Sequence, residues 1–163
     1  MIALAAAVVL AASLHHIHAD GYGPVRVGMT IPQAERELGA LLVPADDSGP
    51  NDGCWHLKAA KGHDGLHLMI QQGRVTRASL WDAGTGITTP RGIAVGDPEE
   101  RVVRLYGERL QRAPHAYGGP AASYLTYWTE FGRRGVRFET DDDRRVTAIH
   151  GGDGTIRLVE GCS

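Results

Sequence analysis

The chain has 163 residues and a formal net charge of −2; 42% of its residues are apolar and 22% charged. These are the proportions of an ordinary soluble domain and exclude disorder, collagen and a coiled coil. The near-neutral balance leaves no basic footprint for nucleic acid or for an anionic membrane.

The first 19 residues contain no Asp, Glu, Lys or Arg. Residues 2–14 form an apolar run shorter than the ~20 residues that span a bilayer, but matching the hydrophobic core of a signal peptide. Ala19 supplies a small residue for cleavage before Asp20. Export to the periplasm or the medium is therefore expected, with 1–19 as the signal peptide and 20–163 as a single domain without an integral membrane segment. The positive stretch that normally precedes such a run is missing, which leaves open whether Met1 is the true start. The two cysteines, Cys54 and Cys162, read in an exported chain as a disulfide, for which the chain-entropy account gives about 4–5 kcal/mol. Two buried thiols or a metal site are the alternatives.

An internal repeat organises the rest. Val25-Arg26-Val27-Gly28-Met29-Thr30 and the residues up to Gly39 align without gaps on Ile93 to Gly107, with Gly28 on Gly96 and Gly39 on Gly107. In the first copy Thr30 and Gln33 form a capping box, Pro32 sits in the first turn, and Gly39 follows as a left-handed terminator. In the second, Asp97 is the expected cap, Pro98 the first helical residue and Glu100 the partner of the box. Ala34 with Leu38, and Val102 with Tyr106, provide the i, i+4 apolar seam of each helix.

After each helix the period changes to two. Leu66, Leu68 and Ile70 alternate before the turn Gln71-Gln72-Gly73-Arg74, and 75–81 returns as a partner strand. Val136, Phe138 and Thr140 alternate before Asp141-Asp142-Asp143-Arg144, and 146–150 returns. Residues 54–59 and 124–129 are a further strand upstream of each hairpin, and 156–159 is a final strand that delivers Cys162. The expected class is α+β: two tandem repeats, about 22–88 and 89–163, each a helix plus antiparallel strands, forming one curved sheet with helices on one face.

The Val27-Gly28-Met29-Thr30 segment with Gln33 and Leu38-Gly39 resembles the Gly-Met-Thr-x-x-Gln…Gly helix start of two exported families. One is the secreted β-lactamase-inhibitor proteins, built from two tandem copies of such a unit; the other is the small outer-membrane lipoproteins of the β-barrel assembly machinery, with one copy. The resemblance covers about fifteen residues per copy and implies a fold and, by analogy, binding to or inhibition of another protein. The chain departs from the inhibitors in placing one cysteine in each half, and from the lipoproteins in lacking the lipidated cysteine. Val159-Glu160-Gly161-Cys162 and Arg91-Gly92-Ile93-Ala94-Val95-Gly96-Asp97 also resemble exported bacterial proteins of unassigned role.

Chemical motifs are sparse. His63-Asp64-x-x-His67 has helical metal-site spacing and, with Cys54 and His56, would make four ligands, but Gly62 and Gly65 interrupt it and 66–68 reads as a strand. The mature-chain histidines, His56, His63, His67, His115 and His150, read instead as solvated strand and loop residues. Asp141-Asp142-Asp143 with Asp153 does not match a calcium loop and reads as a polar hairpin tip. Ser48, Ser79, Ser123 and Ser163 have no nucleophile elbow around them, Glu99-Glu100 reads as helix-dipole placement, and Gly84-Thr85-Gly86 is too short to cradle a phosphate. No catalytic residue, metal or cofactor is assigned.

The aromatics are the stronger lead. Trp55, Trp81, Tyr124, Tyr127, Trp128 and Phe131 fall on or beside strands, and adjacent Tyr127 and Trp128 must point to opposite faces. By strand parity Trp81 shares a face with Val75 and Arg77. Trp81, Tyr124, Tyr127, Trp128 and Phe131 are thus expected to bind a protein or envelope component as a non-enzymatic module; a small exported hydrolase or metal-dependent enzyme is the alternative. The partner's identity and the oligomeric state are not legible in the residues.

Overall fold

A computed structural model of the chain describes residues 15–47, 49–129 and 131–162. The apolar run 2–14 and Met1 lie outside them. The described residues are α+β, with two sheets and two short α-helices.

Local chemistry explains where the helices begin and end. Before α1 (Ile31–Leu38), Thr30 is extended and its N–H donates to Gln33 Oε1 at 2.9 Å. Gly39 ends the helix at φ 66°, a conformation glycine adopts without a Cβ clash. Before α2 (Glu99–Tyr106) the N-cap residue is Pro98, and no side chain caps the helix. This corrects the assignment of Asp97 and Glu100. Asp97 Oδ2 instead accepts from the Ala94 N–H and from Arg101 Nη1, each at 2.8 Å, which ties it to the preceding loop and to the exposed helix face. Glu99 is buried rather than a solvated dipole partner: it accepts from Arg112 at 2.5 Å and from the Thr140 hydroxyl at 3.1 Å.

The large sheet contains β4 (Leu42–Pro44), β5 (Cys54–Ala59), β6 (Leu66–Gln71), β7 (Arg74–Leu80), β8 (Leu110–Pro114), β9 (Ser123–Trp128), β10 (Gly135–Thr140) and β11 (Val146–Gly152). Its order is β4-β5-β6-β7-β11-β10-β9-β8, antiparallel at every pair. Each helix is therefore followed by a four-strand meander, and the meanders join where β7 meets β11. The turn between β6 and β7 has positive φ at both Gln72 and Gly73, the backbone twist a two-residue hairpin needs.

The expected single sheet is corrected by a second, three-stranded one: β1 (Ile17–His18), β2 (Gly21–Tyr22) and β3 (Val25–Arg26). It packs on the large sheet at Gly151, where a Cβ would lie 2.1 Å from the His18 carbonyl oxygen. Ile17 is fully buried, and its N–H donates to Thr88 O at 3.0 Å. A chain cleaved between Ala19 and Asp20 would lack this strand.

The strand expected at 156–159 is a 3-10 turn, Gly154–Arg157. Asp153 accepts from the Thr155 N–H at 2.9 Å, which bends the chain away from the ladder. The tail then runs to Cys162, which is disulfide-bonded to Cys54, 108 positions earlier. Among the described residues no helix is long and apolar enough to cross a membrane.

Candidate functional site

The strand registers sort the large sheet into two faces. Toward the helices, Leu57, Leu68, Ala78, Gly151, Val136, Tyr127 and Leu110 lie side by side across seven strands. The row behind it on the other face crosses all eight: Val43, Lys58, His67, Ser79, His150, Arg137, Thr126 and Gln111. Every member except Val43 is polar. The face without helices is thus a polar floor, and much of it is closed to water: Ser79 is 0% exposed, His150 2% and Arg77 3%.

Buried polar groups require partners, and here they form a chain of contacts. Ser79 Oγ lies 2.8 Å from His150 Nδ1, and His150 Nε2 lies 3.0 Å from Glu139 Oε1. The other carboxylate oxygen of Glu139 lies 3.1 Å from His115 Nε2. His115 Nδ1 accepts from the Tyr117 and Gly118 N–H groups, so its proton is on Nε2 and is donated to Glu139. An ionised Glu139 only accepts, which places the His150 proton on Nε2 as well and leaves Nδ1 to accept from the Ser79 hydroxyl. Burial pushes the Glu139 carboxyl up, but the hydrogen bonds from His150 and His115 outweigh it and hold the group at about 2. Burial keeps His150 below its ordinary value. Aromatic rings close the network: the His115 ring stacks on Tyr124 at 4.4 Å, and the Trp81 indole meets the rings of His67 and His150 edge-on at 5.1 and 5.5 Å.

The order Ser79, His150, Glu139 is that of a serine-hydrolase relay, yet the geometry denies it that chemistry. The imidazole nitrogens are used in the opposite sense, with Nδ1 rather than Nε2 toward the serine. Ser79 has no exposed surface, and its backbone sits in mid-sheet between β6 and β11, where N–H groups serve the ladder rather than an oxyanion. The network is a rigid support.

The structure separates the predicted aromatic set. Trp81, Tyr124 and Trp128 belong to the helix-free face; Trp81 is 40% exposed, whereas Tyr124 is buried under His115 and the Arg137 guanidinium, 3.9 Å from its ring. Tyr127 lies on the helix side, where Arg91 sits between it and Tyr106 at 4.7 and 4.5 Å. Phe131 is 85% exposed in the β9–β10 loop. Val75 and Arg77 do not share a face: Met69 pairs Arg77 but Ile70 pairs Val75, so Thr76 is an inserted bulge residue that turns Val75 into the core. The His63 and His67 rings are also apart. His63 contacts the Tyr22 hydroxyl and Leu38 O, while His67 faces Trp81.

The residues missed at the sequence level are Ser79, His115, Arg137, Glu139 and His150. Reading His150 and His115 as solvated was wrong: His150 is 2% exposed and both bind Glu139. The legible signal was parity, because Arg137 and Glu139 alternate with core residues Val136 and Phe138 on one strand.

No family model matches this chain, and no curated protein matches it. Two solved structures are similar in fold. One is the uncharacterized protein yfeY from Escherichia coli, with TM-score 0.52 and 16% identity over 84% of this chain and 99% of that one. The other is an extracellular protein containing a SCP domain from Bacillus anthracis, with TM-score 0.50 and 10% identity over 82% of this chain and 46% of that one. Neither carries forward the resemblance to the inhibitor proteins or to the assembly lipoproteins. At these identities the likeness is one of sheet-rich fold alone.

Proposed function

We propose that the chain is an exported, non-enzymatic binding module whose helix-free sheet face takes a protein of the cell envelope or its surroundings. One observation carries this reading: a half-exposed Trp81 stands on a buried, hydrogen-bonded polar floor, with Trp128 further along the same face. Rigid amphipathic rings held by a pre-organised surface are what interface anchors require, since little freedom is lost on docking. Lys58 at one end, and Arg157, 5.9 Å from the Trp128 ring, at the other place a cation at each end of this face for an acidic group of the partner to meet. The disulfide supports export, as does the likeness in fold to an extracellular protein. Tyr127 and Phe131 are not part of this anchor set.

The test is affinity capture from envelope extract with the oxidised protein, comparing it with the pair Trp81→Ala/Trp128→Ala and with Phe131→Ala. A partner retained by the native chain and by Phe131→Ala, and lost with the tryptophan pair, is expected. Equal retention by all three would overturn the reading.

A further inference from the structure

The C-terminal tail crosses the helix-free face above two buried guanidiniums. Arg77 Nη1 donates to Thr155 O at 3.1 Å and Leu158 O at 3.0 Å, and Arg137 Nη1 donates to Ile156 O at 3.3 Å. Both side chains are more than nine-tenths buried, and the Nε of each has no hydrogen-bond partner. Neither belongs to the ion pairs of the described residues. Glu139, the carboxylate whose charge reaches both, is already held by two histidines. Buried cations met by carbonyls, an imidazole and a tyrosine ring, but by no carboxylate in an ion pair, are a costly arrangement that an oxyanion would relieve.

The tail is anchored lightly beyond its turn. Ile156 is its buried apolar side chain, whereas Leu158 and Val159 are each 42% exposed. The far end is held by the Cys54–Cys162 bond, by Asn51 Nδ2 donating to Cys162 O at 3.2 Å, and by the Tyr117 hydroxyl on Glu160. Glu160 and Cys162 also form one wall of a cleft of about 300 Å³ whose other sides include Asp46, Asn51, Trp55 and His56; of its two carboxylates, Glu160 belongs to the tail and Asp46 to the fixed wall. The His56 imidazole is 3.4 Å from Arg77 Nη2, so it stands between the cleft and the guanidinium.

We propose that residues 158–162 are a disulfide-tethered lid, and that opening it joins this cleft to Arg77 as a binding site for an oxyanion, a carboxylate or a phosphate. The bond is opened by a dithiol donor: one thiolate attacks a sulfur of Cys54–Cys162, the second resolves the mixed disulfide, and two electrons and two protons end on the two cysteines while the donor becomes a disulfide. Arg77 supplies the fork of donors, His56 and Asn51 the flanking polar groups, and Trp55 an apolar wall. The site does not use the Trp81 and Trp128 rim, so its failure would leave the partner-binding reading untouched.

The experiment compares oxidised native chain, native chain reduced with dithiothreitol, Cys54→Ser/Cys162→Ser, and that pair with Arg77→Gln. Trypsin reports the lid through the bond after Arg157, and calorimetry reports binding of inorganic phosphate and of succinate. The open forms are expected to be cut after Arg157 and to bind one of the two anions at least about tenfold more tightly than the oxidised chain, with the gain lost on Arg77→Gln. Which anion binds distinguishes a phosphate from a carboxylate ligand. Equal cutting of open and closed forms, cutting without anion binding, or binding indifferent to Arg77→Gln would each overturn the proposal. A chain ending at Arg157 with Cys54→Ser keeps the Ile156 anchor; if it and the double serine variant both lose cooperative unfolding, the tail is structural and the proposal fails.

Discussion

The two faces of the large sheet are built from the same strands and are buried to the same degree in the middle, yet they are held by different physics. Phe138, Leu68 and Ile149 on the helix side are 0% exposed, and so is Ser79 on the other side, with His150 at 2%. The helix side is stabilised by apolar area removed from water, which tolerates changes of shape better than changes of polarity. The helix-free side gains little from burial as such; its groups are tolerable because their donors meet acceptors, the Nε of Arg77 and of Arg137 being the exceptions. Burial therefore does not identify a core, and the same depth means packing on one side and a fixed hydrogen-bond geometry on the other.

The largest break in this contrast is expected on the apolar side. Phe138→Ala removes a ring that contacts Tyr106 at 5.0 Å, and should cost about 3–5 kcal/mol in urea unfolding at any pH between 5 and 8. A chain beginning at Asp20 loses Ile17 and its hydrogen bond to Thr88; a loss of about 3 kcal/mol is expected, and an unchanged unfolding midpoint would show that β1 is dispensable.

The polar side should fail differently, through pH. Glu139 is ionised down to about 2 in the folded chain, against an ordinary 4.5, so its contribution is complete above about pH 4.5 and lost as pH falls toward 2. His150 is kept neutral by burial, so stability also declines as pH falls below its ordinary 6.5. Glu139→Gln, which sets an amide donor against an imidazole N–H, should cost about 2–3 kcal/mol at pH 7, and the difference from the native chain should shrink steadily on acidification. A pH-independent difference would mean that the network acts by packing alone. The smallest stability effect is expected for Trp81→Ala, within about 1 kcal/mol by thermal unfolding, because the indole is largely at the surface. A larger loss would make it a structural cover of Ser79 rather than an anchor.

Much of the local architecture was legible. Thr30, Gln33 and Gly39 mark α1 because capping and left-handed termination are decided within a few residues. The alternation at Leu66, Leu68 and Ile70 marks β6, since a half-buried strand writes its faces at period two. Where the reading failed, a competing contact decided. Asp97 was drawn from its cap by its near neighbours Ala94 and Arg101, whereas the three short N-terminal strands pack on Gly151, far away in the chain. The segment 156–159 has strand residues but meets Arg77 and Arg137 instead of a ladder.

The site divides in the same way. Amino-acid order alone determined the ends of α1, the two hairpins, the pairing of the only two cysteines as a favoured bridge, and the rule that Arg137 and Glu139 share a face, because each depends on neighbours or on a fixed period. Tertiary structure alone decided that this face is buried, that Ser79, His150, Glu139 and His115 form one chain of contacts across three strands and a loop, and that the bulge at Thr76 separates Val75 from Arg77. Hydrogen bonds between residues up to 71 positions apart depend on strand register, and register is set by the summed packing of the whole sheet rather than by any short stretch of residues.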